Sequence, residues 1–585
     1  MIYYKNKIGK RGKRFTVEKG KRIEKEKRNI GKFIRNIIIV LIALGLVAFI
    51  LAKAPDYAVP RQEGMRLIIN NRNVTNSDSL KEDVLIENGI IYLSKADIAN
   101  FFDKYLYYDQ KYNQYITTSN TKEASIVIGE NKMTVNGTMY PIKGTIIKRN
   151  DKIYFPISEM NQVYDIAIQQ IQATNTITID SLDREQVQAQ TTKKLTVKYK
   201  AKVLSGTVDK IEANASVIWI SDNNGWVRVR TENGKIGYVQ EKDLTNKKIV
   251  RSAKTETDPF KGQKVSLVWD YYSEFAKTPD RRGTKIEGIN VVSPSFFSLK
   301  QLGKGDLVDK AGEAGMQYRN WAKENGYQIW AMVSNESRIE TTTEVLNDYQ
   351  LRQNLISNIM KAVEIYQLDG INMDFENMYQ SDKEMYSRLI IELYPRLREK
   401  GIKLSVDVTA PDGSETWSLC FNRNAIANNA DYIVFMAYDQ NTAKSTKAGT
   451  TAGYNWVKTN VDKFLGQEGV AKNKLILGIP FYTRIWTENA AGELTDPKTK
   501  TVDMKDVDSL IPANVTKTWN EDLRQYYVEF ADGNNKKRMW IEDEKSIQEK
   551  LLLARDYDLA GVAFWEKDRE KDDVWKIVQN IILNK

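Results

Sequence analysis

The apolar and polar positions change their rhythm several times along the chain. Ile37 to Ala52 is an unbroken apolar run, IIIVLIALGLVAFILA, between Arg35 and Lys53. Its sixteen residues predict a helix about 24 Å long at about 1.5 Å per residue, a little short of a bilayer's roughly 30 Å hydrocarbon core. Residues 60–183 then show short runs of alternation and an internal duplication. Ile91-Tyr92-Leu93-Ser94-Lys95-Ala96-Asp97-Ile98 returns 62 residues later as Ile153-Tyr154-Phe155-Pro156-Ile157-Ser158-Glu159-Met160. Each copy passes through a short helical stretch into an alternating strand, Gln114–Thr117 and Thr176–Ile179. Between them Val135-Asn136-Gly137-Thr138-Met139 predicts a hairpin. Residues 194–245 form a second strand-rich stretch, in which Trp226–Arg230 and Ile236–Val239 flank Asn233-Gly234. Polar, Lys- and Thr-rich segments at 184–193 and 245–262 read as linkers.

From Val265 onward β-rich runs alternate with helix-sized gaps: Val265–Tyr272, Gly288–Leu299, Tyr327–Asn335, Leu368–Glu376, Ile402–Ala410, Tyr432–Asp439, Leu475–Tyr482 and Leu559–Glu566. Eight such runs predict an α/β fold, a (β/α)8 TIM barrel. The long last gap carries its own hairpin, Tyr526–Phe530 returning through Arg538–Ile541, and predicts a small α+β insertion. Small β-rich domains and one N-terminal transmembrane helix are expected before the barrel.

Charge and composition narrow the chemistry. The chain of 585 residues has 87 Lys/Arg, 76 Asp/Glu and a net charge of +11. Residues 1–35 hold fourteen of the basic residues and only Glu18, Glu24 and Glu26 as acids, which accounts for the whole excess. The remainder is neutral, so no nucleic-acid partner is implied. The basic flank instead predicts a cytoplasmic N-terminus by the positive-inside rule, with residues 1–36 as tail, 37–53 as membrane anchor and the rest extracellular. Ala52-Lys53-Ala54 resembles a small-x-small cleavage site, and secretion after signal cleavage is the alternative. There is no histidine, which excludes Ser-His-Asp triads, Cys-His peptidases and His-ligated zinc. The one cysteine, Cys420, can form no internal disulfide and is expected in the core. Carboxylate chemistry remains, with no cofactor and no metal expected.

In a TIM barrel the active site lies at the C-terminal ends of the strands. Those ends hold Asp270, Tyr271, Ser293, Ser295, Asn335, Asp374, Glu376, Asp407, Tyr438, Asp439, Tyr482, Trp565 and Glu566. On the fourth run Asn372, Asp374 and Glu376 share one parity and face the barrel interior, while Ile371, Met373 and Phe375 face the helices. Two inward carboxylates about 7 Å apart repel each other, which raises one pKa and keeps a proton available for general-acid work.

Leu368-Asp369-Gly370-Ile371-Asn372-Met373-Asp374-Phe375-Glu376 resembles the signature of glycoside hydrolase family 18, Asp-Gly-x-Asp-x-Asp-x-Glu. Phe435-Met436-Ala437-Tyr438-Asp439 resembles its Met-x-Tyr-Asp motif, and Ala563-Phe564-Trp565-Glu566 its eighth-strand segment. The resemblance covers residues 262–585. One position departs: Asn372 stands where the family has Asp, able to hydrogen-bond Asp374 but not to share a proton with it. The resemblance implies that Glu376 is the acid/base and that Asp374 orients the substrate's own 2-acetamido group, which attacks the anomeric carbon. It implies that Tyr438 bonds the acetamido carbonyl, Asp439 assists the distorted sugar and Trp565 floors the site. Asp369 and Asn372 would complete the hydrogen-bonded chain, with Tyr482 and Asn335 also among the substrate-binding residues. The expected reaction is retaining hydrolysis of β-1,4 bonds beside N-acetylglucosamine.

Residues 411–418 and 478–486 look closest to the spore cortex-lytic N-acetylglucosaminidase branch, which implies a peptidoglycan-like polysaccharide partner. Chitin is the alternative substrate, and an inert sugar-binding surface protein the alternative function. Residues 60–183 resemble a duplicated copper amine oxidase N-terminal-like module, with no histidine to bind copper. Residues 194–245 resemble a bacterial Src-homology-3-like domain, which implies contact with cell-wall peptide, Trp226 serving either core or ligand platform.

Overall fold

The computed structural model describes residues 9–57, 59, 64–75, 79–254, 259–260, 262–273 and 275–584. Residues 1–8 of the basic tail and 255–258 and 261 of the second expected linker lie outside it, as do the side chains of Ala52-Lys53-Ala54. The chain divides into two compact units: Met1–Val84 with Asp165–Thr255, and Leu85–Tyr164 with Glu256–Lys585.

The first unit begins with one helix, Gly9–Tyr57, which continues through the basic flank. Over Glu18–Ile50 it is long and apolar enough to cross a bilayer by length and composition. A four-stranded sheet follows, in which Arg66–Ile69 lies parallel to Thr176–Ser181, joining the two ends of the repeated region. A seven-stranded antiparallel sheet spans 186–251. Val197, Val217, Val227, Val229 and Val239 fill its core. Asn224-Gly225, both at positive φ, makes a two-residue turn of the kind that matches strand twist. Trp226 is half-buried and stands outside that core. The segments expected as linkers are strands here: Gln186–Thr191 pairs with Leu244–Arg251 at the sheet edge. Backbone pairing holds them, because the outer strand is almost wholly exposed and carries Lys247 and Lys248, which suit an edge.

In the second unit the duplicated segments pair with each other, Phe155 opposite Leu93 and Tyr154 opposite Ser94. Their sequels differ for a local reason. Ser94 caps the helix Lys95–Phe101 by accepting the Asp97 N–H at 3.1 Å. Pro156 at the matching place cannot, and the second copy makes only a 3-10 turn and the short helix Asn161–Tyr164.

The barrel strands are β1 (Val265–Asp270), β2 (Val291–Pro294), β3 (Gln328–Ser334), β4 (Gly370–Asp374), β5 (Lys403–Val408), β6 (Tyr432–Met436), β7 (Leu475–Pro480) and β8 (Gly561–Trp565). All pair in parallel, and β8–β1, β1–β2 and β2–β3 contacts close the ring. Ile371, Met373 and Phe375 of the β4 segment pack with the surrounding helices, as their parity requires. Inside, Val265, Leu267, Trp269, Trp330 and Met332 form a second core. Gly370 makes room for it: a Cβ there would lie 2.4 Å from the Trp330 ring, which stacks on Tyr432.

Two helices that flank β4 are used below, α1 (Tyr349–Tyr366) and α2 (Lys383–Glu399). Buried Arg352 of α1 donates twice to buried Glu392 of α2, both at 3.1 Å. Strands from 107–141 pack on the same pair: Tyr349 donates to Glu123 at 3.2 Å and Arg388 to the Tyr105 carbonyl at 2.7 Å. Between β7 and β8 the insertion is a five-stranded sheet. The expected hairpin is its Gln525–Asp532 and Asn535–Ile541 pair, and Tyr482–Glu488, Leu494–Asp503 and Thr518–Asn520 extend it.

Candidate active site

The C-terminal ends of β3, β4, β5, β6 and β8 bring most of the expected residues together. Asn372 is fully buried and uses both ends of its amide. Its Oδ1 accepts from Trp269 Nε1 at 2.8 Å and Ser293 Oγ at 3.3 Å, and its Nδ2 donates to Asp407 Oδ1 at 2.7 Å and Ser405 Oγ at 2.9 Å. It therefore serves Asp407, and the hydrogen bond to Asp374 expected from the sequence is absent among the described residues. An amide fits this place because it must donate on one side and accept on the other at every pH.

Asp374 follows one pleat later. Burial pushes its pKa up to about 7, the Glu336 carboxylate adds to the rise and Lys310 opposes it. Glu376 is half-buried, one pleat further on. Burial holds its carboxyl well above the ordinary value, and the carboxylates of Asp374 and Asp439 add to that. Asp407 is raised by burial and then by Asp374, against the donated bond from Asn372. Three carboxyls on neighbouring strands titrate as one group, so protons leave the set in steps that belong to all three. Two carboxylates assist the rise of Glu376 and of Asp407 alike, but at Asp407 the bond donated by Asn372 opposes it, whereas only raising causes act on Glu376.

Asn335 is tied to the Glu376 backbone. It is buried, donates Nδ2 to the Glu376 carbonyl at 2.8 Å and accepts the Glu376 N–H at 3.0 Å. Tyr438 is half-buried beside the carboxyls, its hydroxyl raised by burial and then by Tyr482, and it makes no hydrogen bond among the described residues. Asp439, at φ 58°, accepts from Tyr482 Oη at 2.6 Å and Arg484 Nη2 at 2.8 Å. Trp565 meets Trp269 edge-on at 5.8 Å and Tyr271 at 5.6 Å, leaving a half-exposed aromatic surface.

Asp369 lies elsewhere, and the remaining strand-end residues are engaged by protein partners. Asp369 precedes β4 and accepts the Ile329 N–H at 3.0 Å, at the opposite end of the barrel from Asp374, about 16 Å along the strand. Asp270 is clamped by Arg281, at 2.8 and 2.9 Å, and by Tyr318. Ser295 bonds the Tyr272 backbone and Glu566 bonds Arg569.

Three residues of the site were not foreseen. Lys310, its side chain 1% exposed, pairs with Glu336 at 3.1 Å and lies over the Tyr271 ring. It directly follows the return strand of a hairpin after β2, Phe297–Leu299 with Leu307–Asp309, where no periodicity marks it. Glu336 was within reach of the strand-end rule, standing one residue beyond Asn335. Arg484 reaches Asp439 from the inserted sheet.

The sequence profile of glycosyl hydrolases family 18 matches residues 268–570, and that of the copper amine oxidase N-terminal domain matches 68–179. The uncharacterized glycosylase YvbX of Bacillus subtilis is 25% identical over 303 residues, half of this chain and 84% of the relative. The cortical fragment-lytic enzyme of Bacillus subtilis is 21% identical over 241 residues, 40% of this chain and 55% of the relative. Among solved structures, the spore cortex-lytic enzyme SleL of Bacillus megaterium is 18% identical and aligns over 63% of this chain and 89% of its own, with a TM-score of 0.47. The family profile spans more than half of the sequence and carries all three motifs read from it. The chain belongs to glycosyl hydrolases family 18 and is a glycoside hydrolase.

Proposed function

We propose that this chain is a membrane-anchored, extracytoplasmic glycosidase that cleaves β-1,4 bonds beside N-acetylglucosamine in a peptidoglycan-like glycan, with retention of configuration. The observation that carries the reading is Glu376 at the C-terminal end of β4, its backbone held by Asn335 and its carboxyl pKa raised by burial and by Asp374. Glu376 protonates the leaving oxygen, and the substrate's acetamido oxygen closes on the anomeric carbon. Asp374, ionised above about pH 7, faces the charge that develops on that ring. The Tyr438 hydroxyl, unengaged among the described residues, donates to the acetamido carbonyl. Asp439 is already bonded to Tyr482 and Arg484, which suits it to positioning rather than attack. Water then opens the intermediate with Glu376 acting as base, restoring the β anomer.

The glycan assignment draws support from the relatives' printed names, a cortical fragment-lytic enzyme among them. Anchoring draws it from the apolar helix and its basic flank. The test is turnover of muropeptide glycan and chitooligosaccharides by the full chain and by Glu376→Gln. The variant is expected to lose about 10²- to 10⁴-fold while still binding sugar. Equal turnover rejects the assignment, an initial α product by NMR rejects acetamido participation, and a shortened free form on fractionation rejects the anchor.

A further inference from the structure

The seven-stranded sheet of the first unit has a closed face and an open one. Val227, Val229 and Val239 point into its core. Alternation turns Arg228 and Tyr238 the other way, and the register sets them directly opposite each other. The open face continues into a loop after Leu195–Lys198, closed by Tyr199 N–H on the Gly206 carbonyl at 2.8 Å and Lys200 N–H on Ser205 Oγ at 2.9 Å. The loop brings up Tyr199, Lys200 and Lys202, and Arg66 arrives from the head of the parallel strand pair. Together they line a cleft of about 790 Å³, within the range of ligand sites.

The chemistry of this cleft is one-sided. Among the described residues, four cationic side chains and two tyrosines line it, and none of the lining residues is acidic. Asp209 acts on Arg66, but it is buried and accepts from Thr231 Oγ at 2.8 Å beside Lys235. Arg228 is half-buried yet makes no ion pair or hydrogen bond among the described residues, so its five N–H donors are left for solvent or ligand. Tyr199 and Tyr238 likewise offer ring faces and unengaged hydroxyls among the described residues.

We propose that this cleft binds a carbohydrate polymer carrying repeated anionic groups, carboxylate or phosphodiester. Arg228 and Lys202 meet the anions and the tyrosines lie against the sugar rings. The anionic requirement follows from the lining; the sugar backbone rests on the wall-glycan reading above. The site would hold the enzyme on the meshwork that it cuts.

The test uses the full chain in nanodiscs with polygalacturonate, poly(glycerol phosphate), neutral dextran and a short oligothymidylate. Hydrogen exchange reads residues 196–206 and 226–240 apart from the basic N-terminal flank. At least one anionic glycan polymer is expected to protect both segments, and which one does so separates carboxylate from phosphodiester. Arg228→Gln with Lys202→Gln should weaken that binding about tenfold or more, as loss of charge-assisted contacts does. Lys202→Gln alone, on the exposed loop, should weaken it several-fold without touching the sheet. Hydrolysis of neutral chitooligosaccharides should be unchanged in both variants, and that readout fails separately if the glycosidase reading is wrong. No protection by either anionic polymer, equal affinity in the variants, or tighter binding of the oligonucleotide overturns the proposal.

Discussion

The coupling between Asp374 and Glu376 can be read in a pH profile. Both side chains point inward from one strand segment, two residues and hence about 7 Å apart. At an effective dielectric constant of about 20, two unit charges at that distance repel by about 2.4 kcal/mol. At about 1.36 kcal/mol per unit, that is about 1.7 pH units. The sign follows from the direction of the shift. An ionised Asp374 raises the Glu376 pKa, so the acid keeps its proton to higher pH and the alkaline limb of activity lies higher. Asp374→Asn removes that charge while keeping the shape. Besides a lower maximum, its alkaline limb in kcat/KM should move towards acid by between one and two units, because this limb reports the free enzyme's proton donor. The assay is hydrolysis of a chromogenic chitobioside from pH 4 to 10 at fixed ionic strength. A limb that stays in place while the rate falls would refute the coupling, leaving Asp374 acting on substrate alone.

Two further expectations concern stability. Burial, aided by Glu392, raises Glu123 to about 8 from an ordinary value of 4.5, so the folded protein holds a proton that the unfolded chain releases. Stability from this group is complete below about pH 4.5 and is lost as pH rises towards 8, by about 1.4 kcal/mol per unit. Glu123→Gln should therefore gain Tm over the parent progressively from pH 5 to pH 8, and parallel melting curves would contradict it. Lys550 and Glu542 form a fully buried pair at 2.9 Å beneath the inserted sheet. Lys550→Met leaves Glu542 buried without its counter-charge, still bonded by Gln525 and Ser546, and should cost about 3–5 kcal/mol. Most of that should return in Lys550→Met with Glu542→Gln, and failure to recover in calorimetry would point to packing instead.

The eight barrel strands were legible because strands covered on both faces read as apolar runs, and the row of Asn372, Asp374 and Glu376 because its residues share one parity along the β4 segment. Residues 244–251 were not, since an exposed edge strand is held by its partner's backbone, nor were residues 186–191, which are paired on both sides but carry only Val187 and Ala189 as apolar residues. Asp369 shows the limit of motif reading, in that a residue five positions before Asp374 lies at the far mouth of a barrel. The two bonds from Asn335 to the Glu376 backbone were not legible either, since they depend on side-chain reach across strands. Lys310 reached the site through a hairpin whose course no local pattern announces.

The docking of residues 105–136 on α1 and α2 changes how the molecule should be dissected. Asp348 caps α1 through the Gln350 and Leu351 amides while it also accepts from Tyr112 and Lys111, and Asn136 donates to Glu399 at 2.6 Å at the other end of the helix pair. A fragment begun at the family boundary, near residue 268, would strip this cover and bare Tyr349, Arg388 and their neighbours to water. An expression boundary placed before Leu85 keeps the barrel's lining of borrowed strands, and with it the flank that steadies the helices behind the catalytic strand.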